Sequence, residues 1–579
     1  MAVHGELDAG REHIVLLAGG RDMGQVAARL KAMTPAFKRS DPPGAVVVPV
    51  SWAVVCQLAA TFGVDWRPGP RLQEWTLLAA ERRTGLPGSL LYSPPAPITP
   101  YPWQIEAGLM IGHRDRGTLI TDEPGTGKTG STILGLMDRR LRSGDSFPVL
   151  VVCPASVVDA WVDAWTTWAP SVSVVAWRGT KQRRGRLLGT AEVYVTSYDL
   201  ARVDEELLKR LQAAAVVIDE CHYIKTPSTA RAQVVRRLGR KASVVVALSG
   251  TPITHHPGDL WPTLYTMAPT AWPSRDRWVR RYCETAPGAY DEQIVGLLLP
   301  AREPEFRLTL LGQQRRVAKA DVLSQLPPKV YSVRTVELPA EWRRVYDAME
   351  AQMLAELPDG GELRVMGTLA KLIRLSQLAC AAAEVSITIA DGPDGPREQT
   401  SVALRAPSWK VDALLEVLGE RPGQQVVAFA PSRQLIMLAG TAAAADGYRV
   451  GYIVGDQSGP QRSAAVKAFQ AGELDLLCVT TGAGGVGITL TAASTAVFLQ
   501  RPWSLVESLQ SEDRLHRIGA ERHTAVEIID VVARNTIDSR VRAVLRERAG
   551  QLAEVLQDRR LVATLLGGPR ANTSRREAS

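Results

Sequence analysis

Apolar residues along the chain follow two rhythms. Short unbroken runs recur at Thr118–Ile120, Pro148–Cys153, Val193–Ser197, Ala214–Ile218 and Ser243–Leu248, and the stretches between them read as helical. Such runs predict buried strands, and strands alternating with helices predict a parallel, doubly wound sheet. This first lobe is expected over residues 101–335, ending in a helical protrusion. The same rhythm returns at Gln425–Phe429, Tyr452–Val454 and Leu474–Val479, predicting a second lobe over 403–566. Between them, over 336–402, the strand signal fades. Lys371–Leu378 has helical spacing, and Val385–Ile389 followed by Asp391-Gly-Pro-Asp-Gly395 predicts a surface hairpin.

The first 83 residues predict a small α/β module. Ile14–Ala18 and Ala45–Val50 read as strands. Met23–Met33, with apolar residues at Met23, Val26, Ala27, Leu30 and Met33, reads as a helix, and Trp52–Phe62 as another. Residues 84–100 hold Pro87, Pro94, Pro95, Pro97 and Pro100, a linker composition. The polar tail 567–579 predicts disorder. The fold class is therefore α/β: two doubly wound lobes with helical insertions and a small N-terminal module.

Composition narrows the partners and the compartment. A chain of 579 residues has room for two to four domains, and 45% hydrophobic content supplies their cores. No apolar run reaches the roughly 18 residues of a membrane span, and the N-terminus lacks the pattern of a signal peptide. The six cysteines are isolated, without a CxxC pair, which argues against zinc and disulfides and fits a reducing cytoplasm. Abundant Ala, Arg and Val with few Lys suggests a GC-rich bacterial or phage source, hence nucleoid-associated or host-cytoplasmic. A net charge of +8 is compatible with a polyanionic partner and equally with a solvated surface.

The chemistry is concentrated where strands end. Thr121-Asp-Glu-Pro-Gly-Thr-Gly-Lys-Thr-Gly130 joins the first strand to a helix over Ser131–Met137. A glycine-bearing turn before a helix points N–H groups and the positive helix end at one spot, a nest for nucleotide phosphates. Lys128 would reach the β- and γ-phosphates and Thr129 would ligate Mg²⁺. The usual pattern has glycine six residues before the lysine, where this chain has Asp122. Gln104, beside aromatic neighbours, can offer its amide to an adenine edge. Asp219 and Glu220 end a buried run. Such a pair is either a solvated turn or a metal ligand beside a general base, and the phosphate loop upstream favours the second. Arg514 and Arg517 are three apart, so on a helix they share one face.

These strings resemble the motifs of Swi/Snf-type superfamily-two DNA-dependent ATPases, which are helicase-like translocases. Asp122–Thr129, Asp219–His222 and Leu248–Ile253 resemble motifs I, II and III. Val152–Ser156 with Trp161 and Trp165 resembles motif Ia, and Thr196–Asp199 motif Ib. Thr480–Leu490 resembles motif V, and Gln510–Gly519 motif VI. Arg315–Leu323 with Leu326–Lys329 resembles the segment leading out of the first lobe. Asp122 is usual in this family. Pro124 stands in place of methionine, and Ala520 in place of glutamine. The resemblance covers residues 98–545.

It implies two RecA-like lobes with ATP and Mg²⁺ in the cleft between them. Nucleotide contacts would come from Gln104, Gly125, Thr126, Gly127, Lys128, Thr129, Gly487 and Gln510, and metal contacts from Thr129 and Asp219. Lys128, Asp219, Glu220, Arg514 and Arg517 would be catalytic, and His222, Ser249 and Thr251 would couple nucleotide state to motion. DNA phosphates would meet Pro154, Ser156, Ser197, Tyr198, Ser432, Arg433, Thr480 and Thr481. The implied activity is ATP-driven translocation on double-stranded or branched DNA by a monomer, with no membrane partner. A strand-separating helicase and a nucleotide-gated DNA clamp are the alternatives. The N-terminal module, with Phe37-Lys-Arg39 between helix and strand, resembles the HARP module of annealing helicases, which implies recognition of DNA junctions. The alternative is a structural cap on the next domain.

Overall fold

The computed structural model describes residues 2–18, 23–33, 38–40, 45–86, 88–114, 116–252, 257–269, 271–272, 274–287, 292–294, 302–310, 312–352, 354–356, 362–364, 368–392, 395–482 and 488–556. The expected tail 567–579 lies outside them, as does Gly487. The chain forms two compact units, residues 1–322 and 323–579.

The first unit opens with a five-stranded sheet in the order Lys38–Ser40, Ala45–Pro49, His13–Ala18, Val3–Leu7, Trp66–Pro68. Val3–Leu7 carries no apolar run. It alternates Val3, Gly5 and Leu7 with polar residues, the period of a strand with one buried face. Gly5 is required there, because a Cβ would overlap the Trp66 ring on the neighbouring strand. Helices Met23–Met33 and Trp52–Phe62 cover the sheet, and Val26, Leu30, Val54 and Leu58 fill the core against Ile14, Leu16 and Val48. A third helix, Pro70–Thr84, follows.

This module is bonded to the rest of its unit. The Trp52 indole donates to the Leu308 carbonyl at 2.7 Å, Gln57 donates to the Tyr282 hydroxyl at 3.2 Å, and Arg281 donates to Thr61 Oγ1 at 2.9 Å. The proline-rich stretch after it is also held down. Arg114 donates to the Gly85 carbonyl, Leu91 N–H to Asp138, and the Tyr92 hydroxyl to the Trp168 carbonyl.

The larger sheet of the first unit has seven strands in the order Gln314–Arg315, Gly117–Ile120, Val244–Leu248, Ala215–Asp219, Val149–Cys153, Val193–Ser197, Val174–Ala176. Every pairing is parallel. The inner strands are buried along their length, save the half-buried Asp219 at the end of Ala215–Asp219, which is why they read as continuous apolar runs. Ile120 pairs with Leu248, Leu248 with Asp219, and Cys153 with Ser197, so the segments after these strands emerge along one edge.

The second unit holds six parallel strands in the order Lys329–Val336, Val526–Ala533, Thr495–Phe498, Val426–Ala430, Leu476–Thr480, Val450–Ile453. Along Val426–Ala430, alternate residues enter different cores. Val426, Ala428 and Ala430 pack on one side of the sheet, and Val427 and Phe429 on the other. Both faces are therefore covered, as a doubly wound sheet requires. The expected lobe boundary at 335 falls inside the edge strand Lys329–Val336, which pairs with Val526–Ala533 over its full length in the second unit. The insertion forms a long antiparallel hairpin, Ala382–Gly392 with Gly395–Arg405.

Candidate nucleotide and nucleic-acid site

In the first unit the phosphate loop runs from the strand Gly117–Ile120 into the helix Lys128–Arg142. Gly125 and Gly127 have φ of 88° and 86°, a left-handed conformation that side chains rarely adopt. A Cβ on Gly127 would also overlap the amide of Gln104. The loop is braced from below. Trp103 donates its indole N–H to the Thr126 carbonyl at 2.9 Å, and Gln104 Nε2 donates to the Gly127 carbonyl at 3.3 Å. Gln104 Oε1 accepts from Tyr101 N–H, so this amide, expected at an adenine edge, is engaged with backbone at both ends. Tyr101 stacks flat on Trp103, with ring centroids 4.4 Å apart. Lys128 lies over the loop and donates to the Asp122 and Glu123 carbonyls at 2.7 and 3.2 Å.

Asp122 and Glu123 meet the strand Gln314–Arg315 and the residues after it. Thr121 N–H donates to the Arg315 carbonyl at 2.7 Å, and Glu123 N–H to the Val317 carbonyl at 3.0 Å. The Asp122 carboxylate, 1% exposed, pairs with the Arg315 guanidinium, 9% exposed, at 3.5 Å. Burial raises the Asp122 pKa, opposed by the charges of Arg315 and Lys128. Arg316 donates to the carbonyls of Thr121 and Gly250, joining the loop to the turn after Val244–Leu248. Gly250 is needed there because a Cβ would overlap Pro124. Arg315 and Arg316 had no assigned role in the sequence. Their string was legible, but their partner was not.

The acid pair ends the strand Ala215–Asp219. Asp219 accepts from the Trp161 indole at 2.8 Å and from Glu220 N–H at 3.0 Å. Glu220, 8% exposed, sits in the left-handed region at φ 51°, strain that the surrounding bonds hold in place. His222 Nδ1 stands 3.2 Å from Glu220 Oε2 and 3.2 Å from Ser249 Oγ, and Thr251 N–H donates to Ser249 Oγ. Glu220, His222, Ser249 and Thr251 are thus brought together. Burial and the Glu220 charge raise the Asp219 pKa. Burial also works against the Glu220 charge. The His222 bond and the charges of His222 and Lys128 outweigh it, and the Glu220 pKa is lowered.

Pro154, Ser156 and Ser197 lie at the carboxyl ends of neighbouring strands, with Ser156 exposed and Ser197 capping the helix that starts at Tyr198. Tyr198, expected among the DNA contacts, is turned inward. It is 3% exposed, its hydroxyl donates to the Asp219 carbonyl at 2.7 Å, and its ring stacks on Tyr223.

In the second unit Ser432 caps the helix Arg433–Ala445, and Arg433 pairs with Asp456 at the surface. Thr480 and Thr481 end the adjacent strand and are buried. Thr481 Oγ1 donates to Glu507 at 3.3 Å. Gln510 lies in the helix Leu505–Glu512. Arg514 and Arg517 were expected on a helix face. They lie instead in turns after that helix, because Leu490 N–H takes the Arg514 carbonyl and Gly519 turns the chain at φ 105°. Arg514 is 4% exposed, with burial and Arg517 lowering its pKa to about 10. Arg517 donates to Ile488 and Thr489. A buried network fixes this region. Arg501 bonds Glu512 at 2.7 Å and Asp530 at 2.6 Å, and the Tyr331 hydroxyl donates to Glu512 at 2.7 Å.

A phosphate loop and an acid pair on one edge of a parallel sheet, with a second parallel-sheet unit, define the helicase-like class. The profile of the SNF2-related domain matches residues 50–384, more than half of the chain, and that of the helicase conserved C-terminal domain matches 409–519. The chain belongs to the SNF2-related family. It is 27% identical, over 77% of its length, to the SWI/SNF-related matrix-associated actin-dependent regulator of chromatin subfamily A member 1 of Homo sapiens. It is 26% identical, over 79% of its length, to the DNA annealing helicase and endonuclease ZRANB3 of Mus musculus. These matches span 42% and 41% of the two relatives, so the chain matches about two-fifths of their length. The solved Sulfolobus solfataricus SWI2/SNF2 ATPase core in complex with dsDNA is similar over 82% of this chain and 99% of that one, at 20% identity and a TM-score of 0.39. Among the described residues no helix is long and apolar enough to cross a membrane.

Proposed function

We propose that the chain is a DNA-dependent ATPase that translocates along duplex DNA and remodels or anneals branched DNA. It acts as a cytoplasmic monomer. The observation that carries the reading is the Asp219–Glu220 pair, half-buried at Asp219 and buried at Glu220, which shares a sheet edge with the phosphate loop and feels the Lys128 charge. The oxygens of Thr129 and Asp219 suit Mg²⁺, a hard cation that takes few protein ligands beside phosphate and water. The Asp219 oxygens each accept one hydrogen bond and keep acceptor capacity. Bound Mg²⁺ supplies charge neutralisation of the nucleotide phosphates. The chain's own groups do the rest. Loop N–H groups and Lys128 hold phosphate, and Glu220, kept ionised by His222, takes the proton of the attacking water. Ser249 and Thr251 report the state of Glu220 to the turn that Arg316 ties to the loop. In the second unit, Arg514 and Arg517 are the guanidiniums whose charge suits a phosphate. The family relationship, with relatives named as a chromatin regulator and a DNA annealing helicase, supports DNA as the track.

Steady-state ATP hydrolysis with no nucleic acid, single strands, duplex, forked DNA and RNA tests this, with Glu220→Gln as control. Stimulation by duplex or forked DNA that falls at least ~100-fold in the control is expected. Stimulation by single strands or RNA alone would replace the translocase with a strand-separating helicase. Absence of turnover with DNA binding retained would leave the clamp.

A further inference from the structure

A cleft of about 680 Å³ lies within the first unit where the N-terminal module meets the seven-stranded sheet. Gly117, which lines it, begins its strand, so the cleft is at the amino edge of the sheet. The phosphate loop and acid pair are at the carboxyl edge. The two sites are therefore distinct.

The walls are cationic. Arg11, Arg82, Arg83, Arg116 and Arg240 all line the cleft, and among the described residues that line it there is no Asp or Glu. Two of the five are built in. The Arg83 guanidinium sits 5.5 Å from the Trp52 ring centroid. Arg116 donates to the carbonyls of Gly239, Ala242, Thr266 and Met267, which engage all three of its nitrogens, and it forms no ion pair among the described residues. Burial accordingly lowers the Arg116 pKa. The other three, Arg11, Arg82 and Arg240, are exposed, and none forms an ion pair among the described residues. Arg11, Arg82, Arg116 and Arg240 thus bring positive charge to a concave place where none of them has an acidic partner among the described residues, an arrangement that an anion completes.

The shape adds a second requirement. Trp75, Leu78, Ala79, Arg82 and Arg83 share one face of the helix Pro70–Thr84 and all line the cleft. A half-buried indole thus stands about two turns from two guanidiniums. The start of the helix Trp52–Phe62 also lines the cleft, through Ser51, Trp52 and Ala53, and contributes the positive end of its dipole. Phosphate suits the guanidiniums and a planar ring suits the indole, and the volume is in the range of small-molecule sites. We propose that this cleft binds a nucleoside phosphate, supplied either as a free nucleotide or as a nucleotide unit of a nucleic-acid strand.

The test uses the full chain carrying Lys128→Ala, which disables the phosphate loop. Two probes are titrated by fluorescence anisotropy: mant-ADP, and a labelled 5′-phosphorylated tetrathymidylate. The companion chain adds Arg82→Glu and Arg240→Glu. Both positions are exposed, so its thermal melting should match the parent, and Arg82→Gln with Arg240→Gln stands in if it does not. Loss of mant-ADP affinity by at least tenfold in the companion supports the proposal and names a free nucleotide. A tenfold loss confined to the tetranucleotide supports it and names a strand. The log–log salt slope should then fall by about 1.4, at about 0.7 for each of the two phosphates no longer neutralised. Equal affinities of parent and companion for both probes, or no binding of either probe to the parent, would overturn it. ATP turnover plays no part in the measurement, so the result is independent of the motor reading.

Discussion

Replacing Arg315 by alanine removes the buried partner of Asp122 while leaving every atom of the phosphate loop in place. The carboxylate is 1% exposed, so little water can substitute for the lost guanidinium. Breaking a buried ion pair on one side costs about 3–5 kcal/mol. Lys128 also favours the Asp122 charge, which sets the expectation at the lower end, about 3 kcal/mol. At about 2.1 cal/mol/K per residue, the 322 residues of the first unit have an unfolding entropy of about 0.7 kcal/mol/K. Its melting should therefore fall by about 4 °C at pH 8, read by differential scanning calorimetry. The pH dependence has a definite sign. Asp122 already has a raised pKa in the folded chain, and losing Arg315 raises it further. A folded acid that holds its proton longer than the unfolded one loses stability as pH rises from the unfolded pKa through the folded pKa. The deficit of Arg315→Ala should thus be small at acid pH and full above the folded pKa. Adding Asp122→Asn should recover most of the loss at pH 8, since no charge is left stranded. An Arg315→Ala chain that melts with the wild type at pH 8, or one that Asp122→Asn makes worse, would refute the reasoning.

Tyr198→Phe distinguishes a buttress from a DNA contact: removing its bond to the Asp219 carbonyl should cost about 1 kcal/mol of stability and leave DNA affinity unchanged in anisotropy titrations. Glu220→Gln removes the charge that raises the Asp219 pKa, so the acid limb of Mg²⁺-dependent mant-ADP binding should move to lower pH. In the second unit, Lys410→Met strands Asp538, its partner at 2.6 Å, and should destabilise by about 3–5 kcal/mol in denaturant unfolding. Most of that stability should return when Asp538→Leu is added.

What the sequence could reveal depended on whether the cause was local. The inner strands of the first sheet are buried on both faces, so they appear as runs such as Pro148–Cys153, and their carboxyl ends lead directly to the loop and the acid pair. Lys329–Val336 escaped because an edge strand is only half buried and alternates, and only its pairing with the distant Val526–Ala533 makes it a strand. The helix expected under Arg514 and Arg517 failed for the same reason: the Arg514 carbonyl is claimed by Leu490, a partner that spacing does not disclose. Tyr198 shows the limit most sharply. Its string, Thr196-Ser-Tyr-Asp199, marks a strand end, yet whether a tyrosine there faces solvent or the acid pair depends on packing from other segments. Asp122 runs the other way. It was conspicuous as a departure from the glycine of a phosphate loop, and the structure gives that carboxylate a buried counter-ion from the edge strand Gln314–Arg315, near the end of the first unit. A charge that contradicts a local pattern is thus a pointer to a distant partner, and Arg315 is where that pointer leads.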